Sequence, residues 1–154
     1  MGWFFGFKLH LICDEKSELL NFMITPGDVD DRKPLEYEAF NKFLYGKLVS
    51  DKGYISKELF RKLFVDGIQL ITKLKNNMKG ALMSVLDRVL LIKRAIIETI
   101  NDELKNIAQV EHSRHSCFDN FFVNTIPAIA AYCCLPKKPA IQVVKYSDNQ
   151  LTMF

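Results

Sequence analysis

The sequence predicts a single mixed α/β domain with one sheet and flanking helices. Short runs of branched and aromatic residues recur along the chain, as is typical of strands. Stretches with apolar residues at helical spacing lie between them, and polar segments with Gly or Pro separate the two kinds. The resulting order is β-β-α-β-α-β-α-α, which indicates a mixed sheet covered by helices.

The first half of the chain begins with a predicted hairpin. Residues 3–13, WFFGFKLHLIC, alternate around a lysine and a histidine, and LLNFMIT at residues 19–25 forms the second strand across the polar turn DEKSE. In the loop that follows, Asp30 or Asp31 is placed to cap a helix. That helix is predicted over residues 35–46, LEYEAFNKFLYG, and should end at Gly46.

Two more strands and three more helices follow. KLVSD, residues 47–51, reads as a short strand, Ser56 begins a helix over residues 57–67, and IQLIT, residues 68–72, is a buried strand. A lysine-rich loop leads to a long helix over residues 85–108. A final apolar helix spans residues 118–135 and stops before Pro136, and residues 140–146 are a candidate edge strand.

Composition and charge restrict the class of protein. A chain of 154 residues with a quarter of them charged is an ordinary globular domain, and a net charge of +3 does not by itself indicate nucleic acid. The region from Lys73 to Arg114 nevertheless holds eight basic residues against five acidic ones, which indicates a basic face or, alternatively, a plain solvated surface. No segment reaches the ~20 apolar residues of a membrane span. The four cysteines lack C-x-x-C spacing, so we expect reduced, buried thiols in a cytoplasmic protein.

The long helix carries the first candidate site. At ~100° per residue, Arg94, Glu98 and Lys105 lie within about 40° of one another. The opposite stripe, which should pack on the sheet, consists of Ile96, Ile100, Leu104 and Ile107. The charged group is either an ordinary i,i+4 Arg–Glu pair on a solvated face or part of a functional site.

Asp51 is the second candidate, because it lies at the carboxyl end of a strand, where α/β folds commonly bind ligands. The alternative is a simple turn cap. Carboxylates from a strand end and a nearby helix suit Mg²⁺ or Mn²⁺, although a pair of metals needs a third carboxylate. A zinc site within EHSRHSC is a weaker alternative, since its spacing matches no standard zinc motif.

Several stretches together resemble bacterial insertion-sequence transposases of the DDE type, which have a ribonuclease H-like catalytic core. They are GWFFGFKLHLI, TPGDVDDR, LVSDKGY, IQLITKLKNNMK, KRAIIETINDELKN and HSRHSCFDNF. Arg94, Glu98 and Lys105 match the last three positions of the signature Y-x2-R-x3-E-x6-K, whereas its tyrosine is Leu91 here. The resemblance implies that Asp51 and Glu98 are catalytic metal ligands for Mg²⁺ or Mn²⁺, and that Arg94 and Lys105 contact DNA. The basic residues expected to contact phosphates besides these are Lys73, Lys75, Lys79 and Arg114.

One departure from the family pattern concerns the first strand, which carries the first acid of the triad. In the strand order 3-2-1-4-5 this strand is central, and no strand-borne aspartate precedes the hairpin here. We therefore expect an incomplete ribonuclease H-like mixed sheet in residues 1–136, followed by a tail, residues 137–154. Without the central strand, either the second strand pairs with the fourth or the sheet is incomplete.

Two functions are compatible with these features. The first is a transposase catalytic-domain fragment that cuts and joins DNA with a carboxylate supplied by an upstream fragment. The second is an inactive remnant that binds DNA or full-length transposase. Asp28, Asp30 and Asp31 are poor substitutes for the missing acid, because a loop lacks the fixed geometry of a strand.

Overall fold

The computed structural model describes residues 6–72, 85–106 and 117–139. The chain begins with an antiparallel hairpin of β1 (Phe7–Cys13) and β2 (Leu19–Pro26). This confirms the predicted hairpin within those residues. An extra residue bulges out of β2 beside Cys13, since Ile12 pairs with Asn21 while Cys13 pairs with Leu19.

The helix predicted over residues 35–46 does not form as a continuous element. A 3₁₀ turn spans Lys33–Glu36, and α1 is a single turn over Glu38–Asn41. The two are separated by Tyr37, whose extended backbone (φ −85°, ψ 122°) cannot continue a helix. Gly46 does not end the helix but begins the next strand at a φ of +79°.

A parallel β-α-β unit follows. β3 (Gly46–Ser50) and β4 (Ile68–Thr72) pair in parallel, joined by α2 (Lys57–Val65). Ser56 caps α2 as predicted, since its hydroxyl accepts a hydrogen bond from the Leu59 backbone N–H. The predicted strands and helix of this region are therefore confirmed to within a residue or two.

Three helices complete the described chain: α3 (Val85–Lys93), α4 (Ala95–Asn106) and α5 (Phe118–Cys133). The single helix predicted over residues 85–108 is divided at Arg94, which belongs to neither α3 nor α4. The predicted apolar stripe is confirmed for Ile96, Ile100 and Leu104, which are all buried. The candidate strand at residues 140–146 lies outside the described residues.

The hairpin packs on both faces, because side chains alternate along a strand. Ile12 and Met23 join a core with Leu35, Phe40, Leu59, Leu63, Ile68 and Leu70, on the side of α2. Leu11, Cys13 and Leu19 pack on the opposite side against Ile96, Ile100, Leu104 and Tyr132 of α4 and α5. The bulge in β2 turns Leu19 to this second side.

The four strands form two separate two-stranded sheets in the described part of the chain, β1 with β2 and β3 with β4. The hairpin does not move across to pair with β3. This mixed α/β arrangement is compatible with part of a ribonuclease H-like fold. None of the described helices is long and apolar enough to cross a membrane.

The last helix is tied to the hairpin turn by a buried hydrogen bond. The Tyr132 hydroxyl donates to the Ser17 carbonyl at 2.8 Å, and both residues are almost fully buried. Ser17 has a φ of +64°, which a residue with a side chain seldom adopts. α5 thus adds a hydrogen bond to a turn in which the Asp14 carboxylate also accepts from the Lys16 and Glu18 backbone N–H groups.

The expectation of buried thiols is wrong for three of the four cysteines. Cys13 is half-buried, whereas Cys117, Cys133 and Cys134 are exposed and all four are free thiols. The buried face of α5 consists of Thr125, Ala128, Ile129 and Tyr132, at helical spacing. Cys133 falls one position beyond this face and therefore points to solvent.

Candidate active site

Asp51 lies directly after β3, where the chain leaves the sheet. Its carboxylate accepts a hydrogen bond from the Lys52 backbone N–H at 2.7 Å and caps the 3₁₀ turn Lys52–Tyr54. The turn-cap alternative is therefore correct, and the carboxylate has a further contact as well. Its side chain is 64% exposed, which leaves the other oxygen lone pairs accessible.

Arg94 lies at the break between α3 and α4. Its backbone N–H bonds to the Leu90 carbonyl, while its own carbonyl accepts from the Ile97 N–H, a bond of the tighter 3₁₀ type. Ile96 and Ile100 hold the following turns of α4 against the hairpin. The polar side of α4, with Glu98, therefore faces away from the core, as the sequence predicts.

The two candidate acids meet at the Arg94 guanidinium. One nitrogen of Arg94 lies 2.9 Å from an Asp51 carboxylate oxygen, and another lies 3.3 Å from a Glu98 oxygen. The i,i+4 pair of Arg94 and Glu98 was predicted, but the bridge to Asp51 was not. Asp51 and Glu98, which are far apart in sequence, thus contact the same planar guanidinium, which carries five N–H donors.

The electrostatics of this group are those of a partly exposed ion-pair network. Asp51 and Glu98 are each about two-thirds exposed, while the Arg94 side chain is only 23% exposed. Two carboxylates around one guanidinium leave a local charge of −1. Solvent screens the outer carboxylates, so the stability gained is small and the arrangement is easily rearranged.

The described residues do not by themselves fit a divalent-metal centre. Among them there is no group of three or more His, Cys, Asp or Glu side chains placed to hold a metal ion. Asp51 and Glu98 supply two carboxylates, and a fixed cation, Arg94, already lies between them. Two metals need more acidic ligands than these two residues provide.

Two further carboxylates lie on the same side of the molecule as Asp51, close to Tyr54. Burial raises the pKa of Tyr54, and the negative charges of Asp31, Asp51 and Asp30 raise it further. However, Asp31 pairs with Lys8 at 2.9 Å, and Asp30 pairs with Arg32, which holds the pKa of Asp30 well below its usual range. Both loop acids are thus engaged by cations, as Asp51 and Glu98 are.

Of the remaining predicted site residues, the structure describes Lys105. Lys105 is exposed in the last turn of α4, seven residues beyond Glu98 and therefore about 10 Å further along the helix axis. The predicted DNA contacts Lys73, Lys75, Lys79 and Arg114 lie outside the described residues. Of the zinc alternative, only Cys117 is described, and it is exposed.

Tyr54 is a site neighbour that the sequence interpretation missed. It is partly buried against the first core, and the negative charges of Asp31, Asp51 and Asp30 raise its pKa. A signal was present, since Tyr54 ends the Lys-Gly-Tyr turn directly after Asp51. The spacing, however, did not show which way the tyrosine would point.

Comparison with known protein families gives a match. A family model described as a transposase DDE domain matches residues 1–118, which is 118 of the 154 residues. Neither the curated proteins nor the solved structures contain a match. Because the match covers most of the sequence, including Asp51, Arg94 and Glu98, the chain belongs to the transposase DDE domain family.

Proposed function

We propose that this chain is the catalytic-domain portion of a DDE transposase and acts in DNA strand cleavage and strand transfer. The observation that carries this proposal is the convergence of Asp51 and Glu98 on Arg94. The family match supports this reaction class and DNA as the proposed substrate. Asp51 and Glu98 are the proposed catalytic acids, with Mg²⁺ or Mn²⁺ as the proposed cofactor.

The proposed enzyme needs a third carboxylate from outside the described residues, because two acids are too few for a metal pair. An upstream fragment or a full-length transposase is the proposed source. The separation of β1 from β3 supports this, since a strand that joined the two sheets would lie beside Asp51 at the end of β3.

The proposed catalytic domain extends beyond the family match, to residue 136. α5 lies almost entirely after residue 118, yet Tyr132 packs in the core formed by α4 and the hairpin. Residues 137–154 are the proposed tail. This division places α5 with the catalytic acids, since α4 carries Glu98.

DNA binding in this proposal depends on basic residues of the second half of the chain. Arg94 and Lys105 are proposed to contact phosphates near the reacting bond. A wider surface is contributed by Lys73, Lys75, Lys79 and Arg114. Such contacts release counterions, so affinity should fall with salt by a slope of about 0.9 per phosphate neutralised.

A cleavage assay tests the catalytic proposal. The purified chain is incubated with Mn²⁺ and DNA that carries the inverted repeats of its element, with and without the upstream peptide. We expect no cleavage by the chain alone. With the peptide present we expect cleavage, and Glu98→Gln should abolish it. Asp102→Asn is the matched control, because it removes another exposed carboxylate from α4.

The same assay decides between the two functions. Robust nicking by the chain alone, lost in Glu98→Gln, would show that the third acid is not needed. DNA binding without cleavage, even with the peptide present, would identify an inactive remnant. That alternative is favoured by one observation, that the described residues include no group of three acidic or other metal-ligating side chains.

The DNA-binding proposal is tested by the salt dependence of affinity. Replacing Lys73, Lys75 and Lys79 with Ala should weaken binding and reduce the salt slope by up to about 2.7, for three contacts at ~0.9 each. The matched control replaces three exposed lysines elsewhere on the chain, Lys42, Lys57 and Lys137. If both triple variants behave alike, the basic loop is no more than solvated surface.

A further inference from the structure

The outer side of α2 exposes large apolar side chains to water. α2 packs on the first core through Leu59 and Leu63, so residues on its opposite side point to solvent. Among them are Phe60, Phe64 and Val65, which are 46%, 65% and 84% exposed. The rings of Phe60 and Phe64 stack with their centroids 6.3 Å apart and so form one apolar ridge along the helix.

This apolar surface continues past the end of α2 to the residue before β3. The Gly46 backbone N–H donates to the Gly67 carbonyl at 3.1 Å, so Tyr45, which is 90% exposed, lies beside the end of α2. From this point β3 runs towards Asp51, and six residues of extended chain span about 20 Å. The surface therefore lies at the far end of the β-α-β unit from Asp51, and a partner bound there leaves the candidate active site accessible.

Two cations accompany the apolar residues. Lys57 and Arg61 are exposed, lie one helical turn apart and, at ~100° per residue, fall within about 60° of Phe64. In the described part of the chain neither forms an ion pair. Glu58, the acid within α2, lines a cleft beside Tyr37 on another side of the helix. The α2 surface, defined as Tyr45, Lys57, Phe60, Arg61, Phe64 and Val65, is thus both apolar and positively charged.

We propose that the α2 surface binds an acidic amphipathic segment of another protein. Carboxylates of this segment pair with Lys57 and Arg61, while its apolar side chains cover the ridge of Phe60 and Phe64. The exposed apolar area is roughly 500 Å², at about 200 Å² for a fully exposed aromatic residue. Patches of this size are often functional, but each partner of a standard interface buries ~800 Å². The area therefore fits a single segment of a partner.

Charge and position argue against two other occupants. In a second copy of the chain, Lys57 and Arg61 would face their own counterparts, and like charges oppose association. Single-stranded DNA is held by cations and by aromatic rings that stack on bases. Val65, however, is aliphatic and offers no ring, and the surface is remote from Asp51. The proposal does not depend on the proposed function.

Fluorescence anisotropy with two labelled peptides tests the proposal on the full chain. The first peptide is an amphipathic helix of about 15 residues with Leu on one face and Glu on both flanks. The second has Lys in place of every Glu. We expect the acidic peptide to bind at least about tenfold more tightly than the basic one, because like charges across an interface are unfavourable. No saturable binding of the acidic peptide would overturn the proposal.

A charge exchange separates local recognition from net charge. The double variant Lys57→Glu, Arg61→Glu should reverse the preference, so that the basic peptide binds more tightly. The matched control, Lys16→Glu with Lys137→Glu, changes the net charge equally at two exposed residues outside α2 and should keep the preference for the acidic peptide. Equal behaviour of the two double variants would show that only net charge matters, and the proposal would be wrong.

The apolar ridge is tested separately. Phe64→Ser should weaken binding of the acidic peptide at least about fivefold, since aromatic anchors contribute much of the affinity of such contacts. Ile92→Ser is the matched control, because Ile92 is 64% exposed on α3, and it should leave binding unchanged. Phe60→Ser replaces Phe64→Ser if circular dichroism shows that the latter is unfolded. Unchanged binding in the folded Phe variant would refute the role of the ridge.

Two further measurements identify the wrong occupant directly. The first is binding of a labelled thymidine oligonucleotide, and the second is the oligomeric state by sedimentation velocity. We expect Phe64→Ser to leave both at their wild-type values. Oligonucleotide binding that Phe64→Ser abolishes, or a dimer that it dissociates, would assign the α2 surface to nucleic acid or to a second copy and overturn the proposal.

Discussion

Replacing Tyr132 with Phe removes one hydroxyl from the contact between α5 and the hairpin turn. The ring is retained, so the packing against Ile100 and Leu104 in the second core is unchanged. What is lost is the 2.8 Å hydrogen bond to the Ser17 carbonyl. The variant therefore isolates one polar contact that joins α5, which lies beyond the family match, to the first hairpin.

The magnitude follows from burial. Tyr132 is 3% exposed and Ser17 is fully buried, so water cannot reach the carbonyl to replace the lost donor. Leaving a buried acceptor without its partner costs about 1–3 kcal/mol. For a chain of this length that corresponds to a decrease in Tm of about 3–9 °C.

Urea unfolding followed by circular dichroism measures this change. Tyr45→Phe is the matched control, because the Tyr45 ring is 90% exposed and its hydroxyl is in water in either state. The free energy of unfolding should fall for Tyr132→Phe and stay within about 0.5 kcal/mol for the control. If both variants unfold at the wild-type midpoint, the hydrogen bond between α5 and the turn contributes nothing to stability.

Alkaline pH provides a second readout of the same contact. Burial raises the pKa of Tyr132 to about 12, and the charge of Glu103 acts in the same direction. Because the folded pKa exceeds the ordinary value of 10, this contribution is complete below pH 10 and is lost as the pH rises towards 12. Tyr132→Phe should therefore lose less stability than wild type between pH 9 and pH 11.

Three further predictions concern stability and reactivity. Burial lowers the pKa of His10 from its ordinary 6.5, and the charge of Asp31 opposes this shift. The unfolded chain therefore binds more protons than the folded one, so stability should fall as the pH drops below 6.5. The urea midpoint of His10→Gln should change less than that of wild type from about pH 7.5 to about pH 5.5. Burial also raises the pKa of Cys13 to about 11, so at pH 8 its thiol should react with iodoacetamide far more slowly than the exposed thiols. Peptide mass spectrometry measures these rates, and equal rates would contradict the fold. Gly46→Ala should lower the free energy of unfolding by about 1 kcal/mol because the φ of Gly46 is +79°. Gly53→Ala, at a position without this constraint, should change it by less than about 0.5 kcal/mol. Similar effects of the two substitutions would contradict the backbone conformation at the start of β3.

Periodicity predicted the elements whose packing depends on a single face. The stripe of α4 was visible because Ile96, Ile100 and Leu104 recur every four residues, and burial of all three follows from that spacing. The cap of α2 was equally visible, since Ser56 precedes a run of helix formers. These features are local, so the sequence contains the information directly.

The errors arose where tertiary contacts override a local pattern. Residues 35–46 have helical spacing, yet Tyr37 interrupts the helix while Leu35 and Phe40 are buried in the same core. The break at Arg94 has no Gly or Pro to announce it. The break between α3 and α4 determines where Arg94 lies.

The candidate site was predicted in part for the same reason. The Arg94–Glu98 pair is an i,i+4 contact and follows from helix geometry alone. The Arg94–Asp51 contact depends on how β3 is placed against α4, which no local spacing encodes. The sequence therefore predicted the pair of Arg94 and Glu98 but not the contact of Arg94 with Asp51.

The two-sided hairpin makes the chain intolerant of length changes at one place. Leu11 and Ile12 are neighbours in β1 but enter different cores, so inserting or deleting one residue before them would exchange the two faces at once. Each core would then receive the side chain shaped for the other. Changes in length are therefore expected to be tolerated at the exposed ends of this hairpin but not in the middle of β1.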